Sequence, residues 1–359
     1  MSFSIEKIYI HKDSVDSEIA KNTLKILKRT PYKIVDSLPP TTTLNHGKKI
    51  IYLCENKQNF LKKCPGTPIY LCCLYNVLHI AEHCPMDCSY CILQIYFQNP
   101  YLTIFTNIDK MMEELEYAEK QRKIVRVGTG EFTDSFALQK FGKWNEILIP
   151  FFSKSKKMFL ELKSKYIDKD FLNYSSHNRR IIISFSLNTF SVNRKEELLT
   201  SSIEHRIKLA KLAFENGFIN SFHFDPIIDY PDCEKDYEKV VNLLFDNIPD
   251  KNICWISLGC LRFIPALKDI ATKRFPNTKI YYNEFHTGLD GKFRYFVQRR
   301  IELYKKIVSF IRKRSKIVPL YFCMENRKVW KKVFNFAPEN NFQLSKYLDK
   351  SVIEVAKKF

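Results

Sequence analysis

The chain has 359 residues, 45% of them hydrophobic and 14% aromatic, enough for about two domains or one large barrel with an appendage; a disordered chain is excluded. Lys and Arg number 58 against 39 Asp and Glu, a net charge of +19 that suits a polyanion such as nucleic acid, or else reflects a coding bias towards Lys, Ile, Asn and Phe. No run of 18 apolar residues and no signal-like start is present, so the eleven cysteines are expected in a cytoplasmic, thiol-reducing setting, with no membrane partner and no disulfide framework.

Residues 1–78 read as a small α/β module. IEKIYIH is a strand, residues 16–29 carry helical spacing through Ile19, Leu24, Ile26 and Leu27, and KKIIYLC is a second strand. Gly66 supplies a turn before IYLCCLYNVLHIA, which runs into residues 81–101. From there the pattern alternates. KIVRVGTGE (123–131), KMFLELKSK (157–165), RIIISFSLN (180–188), INSFHFDPII (219–228) and ICWISLG (253–259) read as strands. Helical segments such as MMEELEYAEKQRK and SSIEHRIKLAKLAFENG, the latter stopped at Gly217, separate them. Such alternation forces parallel strands with right-handed crossovers, so an α/β fold is expected: a partial (βα)6 barrel over residues 79–280, with its site at the carboxyl ends of the strands. Residues 281–359 form a C-terminal extension. It opens on the basic turn HTGLDGKFRYF and continues as a helix to about residue 315, with an apolar stripe of Val297, Ile301, Tyr304, Val308 and Ile311. Between Arg294 and Lys316 nine basic residues, Arg299, Arg300 and Arg312 among them, face one acid, Glu302, a bias that points to phosphate contact. VPLYFCME (318–325) reads as a further strand and the tail from residue 336 as peripheral.

The chemistry is expected at Cys84, Cys88 and Cys91, spaced CxxxCxxC. Three thiolates on one loop can hold three irons of a cubane and leave the fourth iron open to an outside ligand. Zinc, with His83 as fourth ligand, is the alternative the spacing leaves open. The loop resembles that of the radical S-adenosylmethionine enzymes, including the aromatic residue before the third cysteine, here Tyr90. That resemblance implies a 4Fe-4S cluster and S-adenosyl-L-methionine (SAM) as cofactors. Gly128, Thr129, Gly130 and Glu131 then resemble the family's glycine-rich motif, whose backbone and acid bind the methionine amino group. Lys163 and Lys165 share one face of their strand, where a lysine needs an anion such as the methionine carboxylate. Ser186 and Asn188 share a face of the next strand, placed for ribose hydroxyls. Of the other eight cysteines, Cys72, Cys73, Cys233, Cys254, Cys260 and Cys323 read mostly as core filler.

The run CPGTPIYLCCLYNVLHIAEHCPMDCSYCILQIYFQNP, the strands FSLN and HFDPII and the segment DGKFRYFVQRRIELYKKI together resemble the spore photoproduct lyase family of radical enzymes, over roughly residues 48–330. The resemblance implies DNA as partner and repair of a cross-linked thymine lesion, with an electron donor such as flavodoxin or ferredoxin. It implies that Lys292 and Arg294 lie near DNA. Two positions depart from the family. Its hydrogen-donating cysteine is replaced by Glu131, and the tyrosine after the third cluster cysteine by Ile92. Cys254, Cys260 or Tyr96 are the substitutes at hand, with Cys260, after a barrel strand, the better one. The rival readings are radical chemistry on RNA or a peptide, and a non-enzymatic iron-sulfur protein that binds nucleic acid and senses redox state.

Overall fold

In a computed structural model, which describes residues 3–40, 43–67, 69–120, 125–166, 169–174 and 176–357, the alternating pattern becomes an eight-stranded sheet. Its spatial order is Leu320–Phe322, Ile253–Cys260, Ile219–Ile227, Ile181–Ser186, Met158–Ser164, Val125–Gly128, Asn76–Leu78 and Leu61–Lys63. Every neighbouring pair is parallel except the last, so the six expected strands are joined by one at each edge. The segment between the Leu61–Lys63 and Asn76–Leu78 strands reaches round to the far edge, where Leu71 N donates to Glu325 O at 3.1 Å. This ties the two sheet edges together across a seam. Residues 123 and 124, expected in the second barrel strand, lie outside the described residues.

Period-two alternation decides what each face holds. Leu160, Leu162, Ile181, Ile183, Phe222 and Phe224 are fully buried under the surrounding helices, while Glu161, Lys163, Ser184, Ser221 and His223 occupy the other face. The helices are cut to length by local chemistry. Ser202 caps Ile203–Glu215 by accepting from His205 N at 3.3 Å, and the chain leaves at Gly217, whose φ of +82° suits glycine best.

The boundary expected at residue 78 does not coincide with sheet membership. A second, five-stranded sheet takes Tyr32–Val35, Lys7–His11 and Ile50–Cys54 from the first module but also Leu102–Phe105 and Ala81–Glu82 from beyond it. The two sheets are therefore laced together around the cysteine loop.

The tail is not peripheral. Helix Asn341–Lys357 buries Leu344, Leu348 and Val352 against the strand Ile253–Cys260, and Ser351 Oγ donates to Cys254 O. Arg126 near the start of its strand donates from Nε to Asp349 Oδ1 at 2.7 Å, and from Nη2 to Ser345 Oγ at 3.1 Å. The helix thus closes the amino end of the barrel, leaving the carboxyl end as the mouth. Leu348→Ala should cost about 2–5 kcal/mol of unfolding free energy, read from urea denaturation, because a fully buried leucine leaves a cavity.

Candidate active site

The cysteine loop is clamped from four sides. Asp87 accepts from Lys48 Nζ at 2.8 Å, on the N-terminal module, and from Arg274 Nη2 at 2.8 and 3.1 Å. Ser89 O accepts from Gln94 Nε2 and Tyr281 OH, both at 2.9 Å, and Ser89 Oγ donates to Glu196. Asp87–Cys88 pairs antiparallel with Glu197–Leu198, and Tyr90 OH donates to Glu197. Lys165 Nζ donates to Tyr90 OH at 2.7 Å and stands 4.0 Å from Cys88 Sγ.

All eleven cysteines are free thiols. Burial pushes Cys88 up to about 12 and Cys84 well above its ordinary value, so only a strong local charge, such as bound metal, ionises them. Three soft donors on one loop suit an iron-sulfur cubane, whose ligands stand further apart than those round one ion. Among the described residues no three His, Cys, Asp or Glu side chains converge on a single-ion site. His83, the ligand a zinc site would need, bonds Asn99 O through Nε2, and burial lowers it to about 4.

Opposite the loop, Lys163 donates to Glu131, and Lys165 lies within 3.4 Å of Glu197 Oε1. Burial disfavours the charge on Lys163 and on Lys165; Glu131 and Glu161 restore it on the first, and Cys88 and Glu197 on the second. Thr129 Oγ1 donates to Ser135 Oγ at 2.8 Å, and Ser186 presents its backbone carbonyl to Arg206 at 2.9 Å. The glycines serve packing. A Cβ on Gly128 would stand 1.4 Å from Tyr75 OH, and one on Gly130 would meet Lys163 O at 2.8 Å. The expected close approach of a ligand to Gly128 is corrected accordingly, because the Tyr75 ring fills that space. Asn188 is corrected too. It is buried, Nδ2 donates to Pro226 O at 2.9 Å, and Oδ1 accepts from Tyr237 OH at 2.7 Å, which takes its amide away from a ribose.

One layer escaped the sequence reading. On the barrel floor Glu161 Oε1 accepts from Ser221 Oγ at 2.7 Å and pairs with His223 Nε2 at 2.8 Å, while Ser257 Oγ meets His223 Nδ1 at 2.7 Å. Polar residues at alternate positions of ELK, SFS, SFHFD and ISLG were its only signal. Burial raises the Glu161 carboxyl, but His223 and Lys163 outweigh it and hold the group below its ordinary 4.5. A depressed carboxyl contributes stability fully above the unfolded pKa and loses it as pH falls below that value. Wild type should therefore lose more stability than Glu161→Gln between roughly pH 5.5 and 3.5, read as the shift in urea midpoint.

The hydrogen donor and the basic face need correction. Cys260 is 2% exposed, its backbone N donates to Tyr304 OH at 2.8 Å, and alternation with the inward Gly259 turns its thiol outward to the helix layer. Cys254 is fully buried at the amino end of the same strand. Tyr96 lies on the rim, stacked on Phe132 at 5.5 Å. Arg294 and Arg300 are buried, paired with Asp290 at 2.7 Å and Glu325 at 2.8 Å. Arg299 is held by Asp229 at 2.7 Å and Glu234 at 2.9 Å, and Arg312 donates to the carbonyls of Ser315 and Val318. Arg299 and Arg300 tie the helix Val297–Arg314 to the barrel, Arg294 on the preceding strand is engaged within its own turn, and Arg312 folds back on the chain after the helix, so the four do not form a free phosphate-binding face. Lys292 is partly exposed, beside Asp290 and Thr67.

A half-barrel of parallel strands with a three-cysteine loop over its mouth and lysines beneath it defines the class, a radical SAM enzyme fold. The family model described as spore photoproduct lyase matches residues 72–314. A spore photoproduct lyase of Clostridium acetobutylicum is 30% identical over 293 residues, covering 78% of this chain and 85% of the relative. One from Bacillus subtilis is 24% identical over 209 residues, 57% of this chain and 61% of the relative. A solved spore photoproduct lyase complexed with dinucleoside spore photoproduct superposes with a TM-score of 0.79 at 20% identity, covering 90% of this chain and all of the other. A mutant with bound AdoMet and dinucleoside spore photoproduct gives 0.79 at 19%, with the same coverage. The chain belongs to the spore photoproduct lyase family.

Proposed function

We propose that this chain is a radical SAM carbon-carbon lyase that repairs the spore photoproduct, a thymine lesion in DNA. The observation that carries it is the loop of Cys84, Cys88 and Cys91 held over the barrel mouth with Lys165 4.0 Å from Cys88, in a chain of this family. When bound, the cluster and SAM together supply a 5′-deoxyadenosyl radical. The three cysteines hold the cluster. Lys163 and Lys165 would offer cationic charge to the methionine carboxylate of SAM, Glu131 and the backbone of Thr129 would bind its amino group, and the Ser186 hydroxyl would serve its ribose. The closed amino end keeps water from the radical, and the open mouth admits a base flipped out of the duplex. Lys292 on the turn is the phosphate contact this reading retains.

A second reading has its own observation. Glu131, at the place of the family's cysteine, forms an ion pair with Lys163 and carries no weak hydrogen, which leaves room for another substrate of the same initiating chemistry. Anaerobic protein, reconstituted with iron and sulfide and given dithionite and SAM, distinguishes them. Thymine restored in spore-photoproduct DNA as the lesion disappears, with 5′-deoxyadenosine formed above the level seen with intact DNA, is the expected result. 5′-Deoxyadenosine indifferent to the lesion, with no thymine, removes the repair reading.

A further inference from the structure

With a duplex across the mouth, as the proposed function requires, an electron for the cluster has to enter from the outer side of the cysteine loop. The short ribbon there has two unlike faces. Directly opposite residues of an antiparallel pair share a face, so Cys88 goes with Glu197 and Asp87 with Leu198. Glu197 turns inward, to Tyr90, Lys165 and Arg206, and Cys88 shares that side. Leu198 and Asp87 therefore face outward, each next in the chain to a member of the inward pair.

The outer face has an apolar centre and a cationic rim. Leu198 is 40% exposed, Leu199 51% and Tyr282 68%. Leu199 holds a φ of +58°, a left-handed conformation that strains a leucine and that asparagine or glycine adopts more easily. A leucine open to solvent there adds nothing to the core. Tyr282 follows Tyr281, whose hydroxyl reaches Ser89 O, and Lys268 Nζ stands 5.2 Å from the Tyr282 ring centroid. Lys195 lies on the helix Phe190–Glu196, three residues before Leu198. Lys273 precedes Arg274, which grips Asp87, and Lys279 follows Thr278, whose Oγ1 donates to Glu196 at 2.7 Å. Lys195, Lys273 and Lys279 are all exposed, and none pairs with an acid among the described residues. Residues 268–282 carry Lys268, Lys273, Arg274 and Lys279 against one acid, Asp269.

We propose that this outer face docks an acidic, low-potential one-electron carrier protein that reduces the cluster through the ribbon bearing Cys88; the inference rests on the radical chemistry proposed above. An apolar centre inside a charged rim is the anatomy of a protein interface, and the rim complements an acidic surface. The leucine pair favours a protein over a nucleic acid, whose backbone offers phosphates and sugars. One strand spacing, about 5 Å, separates the backbone under Leu198 from that of Asp87 and Cys88. One electron leaves the partner's reduced flavin or iron-sulfur centre and enters the cluster. The partner is oxidised by one electron, and no atom is transferred.

The test uses flavodoxin as the probe and the full reconstituted chain, kept anaerobic. Binding of oxidised flavodoxin is read by calorimetry. 5′-Deoxyadenosine formed from SAM is read with reduced flavodoxin and, separately, with dithionite, a small reductant that needs no docking surface. Lys195→Glu with Lys279→Glu should weaken binding about tenfold or more at low salt, and the gap from wild type should shrink as salt screens the rim. Flavodoxin-driven 5′-deoxyadenosine should fall about fivefold or more while the dithionite-driven rate is unchanged. Leu199→Asp should act in the same direction with the fold intact, because aspartate tolerates a left-handed backbone. Unchanged binding and flavodoxin-driven rate in both variants overturn the proposal, as does an equal fall with dithionite, which marks a damaged site. A wild type that binds neither flavodoxin nor a low-potential ferredoxin overturns it too. So do variants that lose affinity for a lesion-free DNA duplex and keep it for flavodoxin, which assign the face to DNA. Absence of 5′-deoxyadenosine from wild type with dithionite removes the radical reading instead, and it is told apart because it needs no partner and no substitution.

Discussion

Cys88→Ala should abolish the iron-dependent absorbance of the reconstituted protein and all 5′-deoxyadenosine formation, measured anaerobically with dithionite and SAM. The effect is total because a cubane held by three thiolates has no spare ligand in this loop. Neighbouring donors offer no rescue. His83 is hydrogen-bonded to Asn99 O, Tyr90 to Glu197, and Asp87 is engaged by Lys48 and Arg274. The fold should survive, because Cys88 lies on a short loop strand whose backbone pairing with Glu197 needs no side chain. Unchanged stability with lost absorbance would therefore separate a cluster defect from unfolding. 5′-Deoxyadenosine forming at the wild-type rate would remove the radical assignment altogether.

What the sequence could disclose depended on how far apart the partners lie. The three cluster cysteines fall within eight consecutive positions, so their convergence is local and spacing alone exposes it. The strands of the barrel were equally legible, since each is an apolar run with its own period. The layer of Glu161, Ser221, His223 and Ser257 is assembled from three strands, and only Ser221 and His223 fall within one short window. The basic helix misled for the same reason. A charge count over residues 294–316 sees one acid, while Asp229 and Glu234, which hold Arg299, are 70 and 65 positions away. Glu325, which holds Arg300, is 25 positions beyond it. The tail was misjudged because its apolar residues mark a buried face without naming what it covers, here the strand bearing Cys254.

Arg206→Met should destabilise the protein by about 3–5 kcal/mol in urea denaturation and also reduce cluster loading. Arg206 is fully buried on the helix Ile203–Glu215, and its Nη2 lies 2.7 Å from both Glu197 Oε2 and Thr200 Oγ1. Its Nη1 donates to Ser186 O at 2.9 Å, joining that helix to the barrel strand. Glu197 is itself 1% exposed. Burial would raise its carboxyl, yet Arg206 and then Lys165 hold it down to about 2. Removing the guanidinium leaves Lys165, Tyr90 and Asn193, whose Nδ2 donates to Glu197 Oε2 at 3.2 Å, as partners of a buried carboxylate, with one cation where there were two. Glu197 in turn accepts from Tyr90 and pairs with Cys88 through the backbone, so a displaced Glu197 shifts the loop that carries all three thiols. The double variant Arg206→Met with Glu197→Gln separates the two causes. It removes the unpaired charge and should recover part of the lost stability, since a neutral amide is far cheaper to bury than a lone carboxylate. If the double variant is less stable than Arg206→Met, lost packing of the long arginine side chain outweighs the charge, and the ion pair does not hold the loop in place.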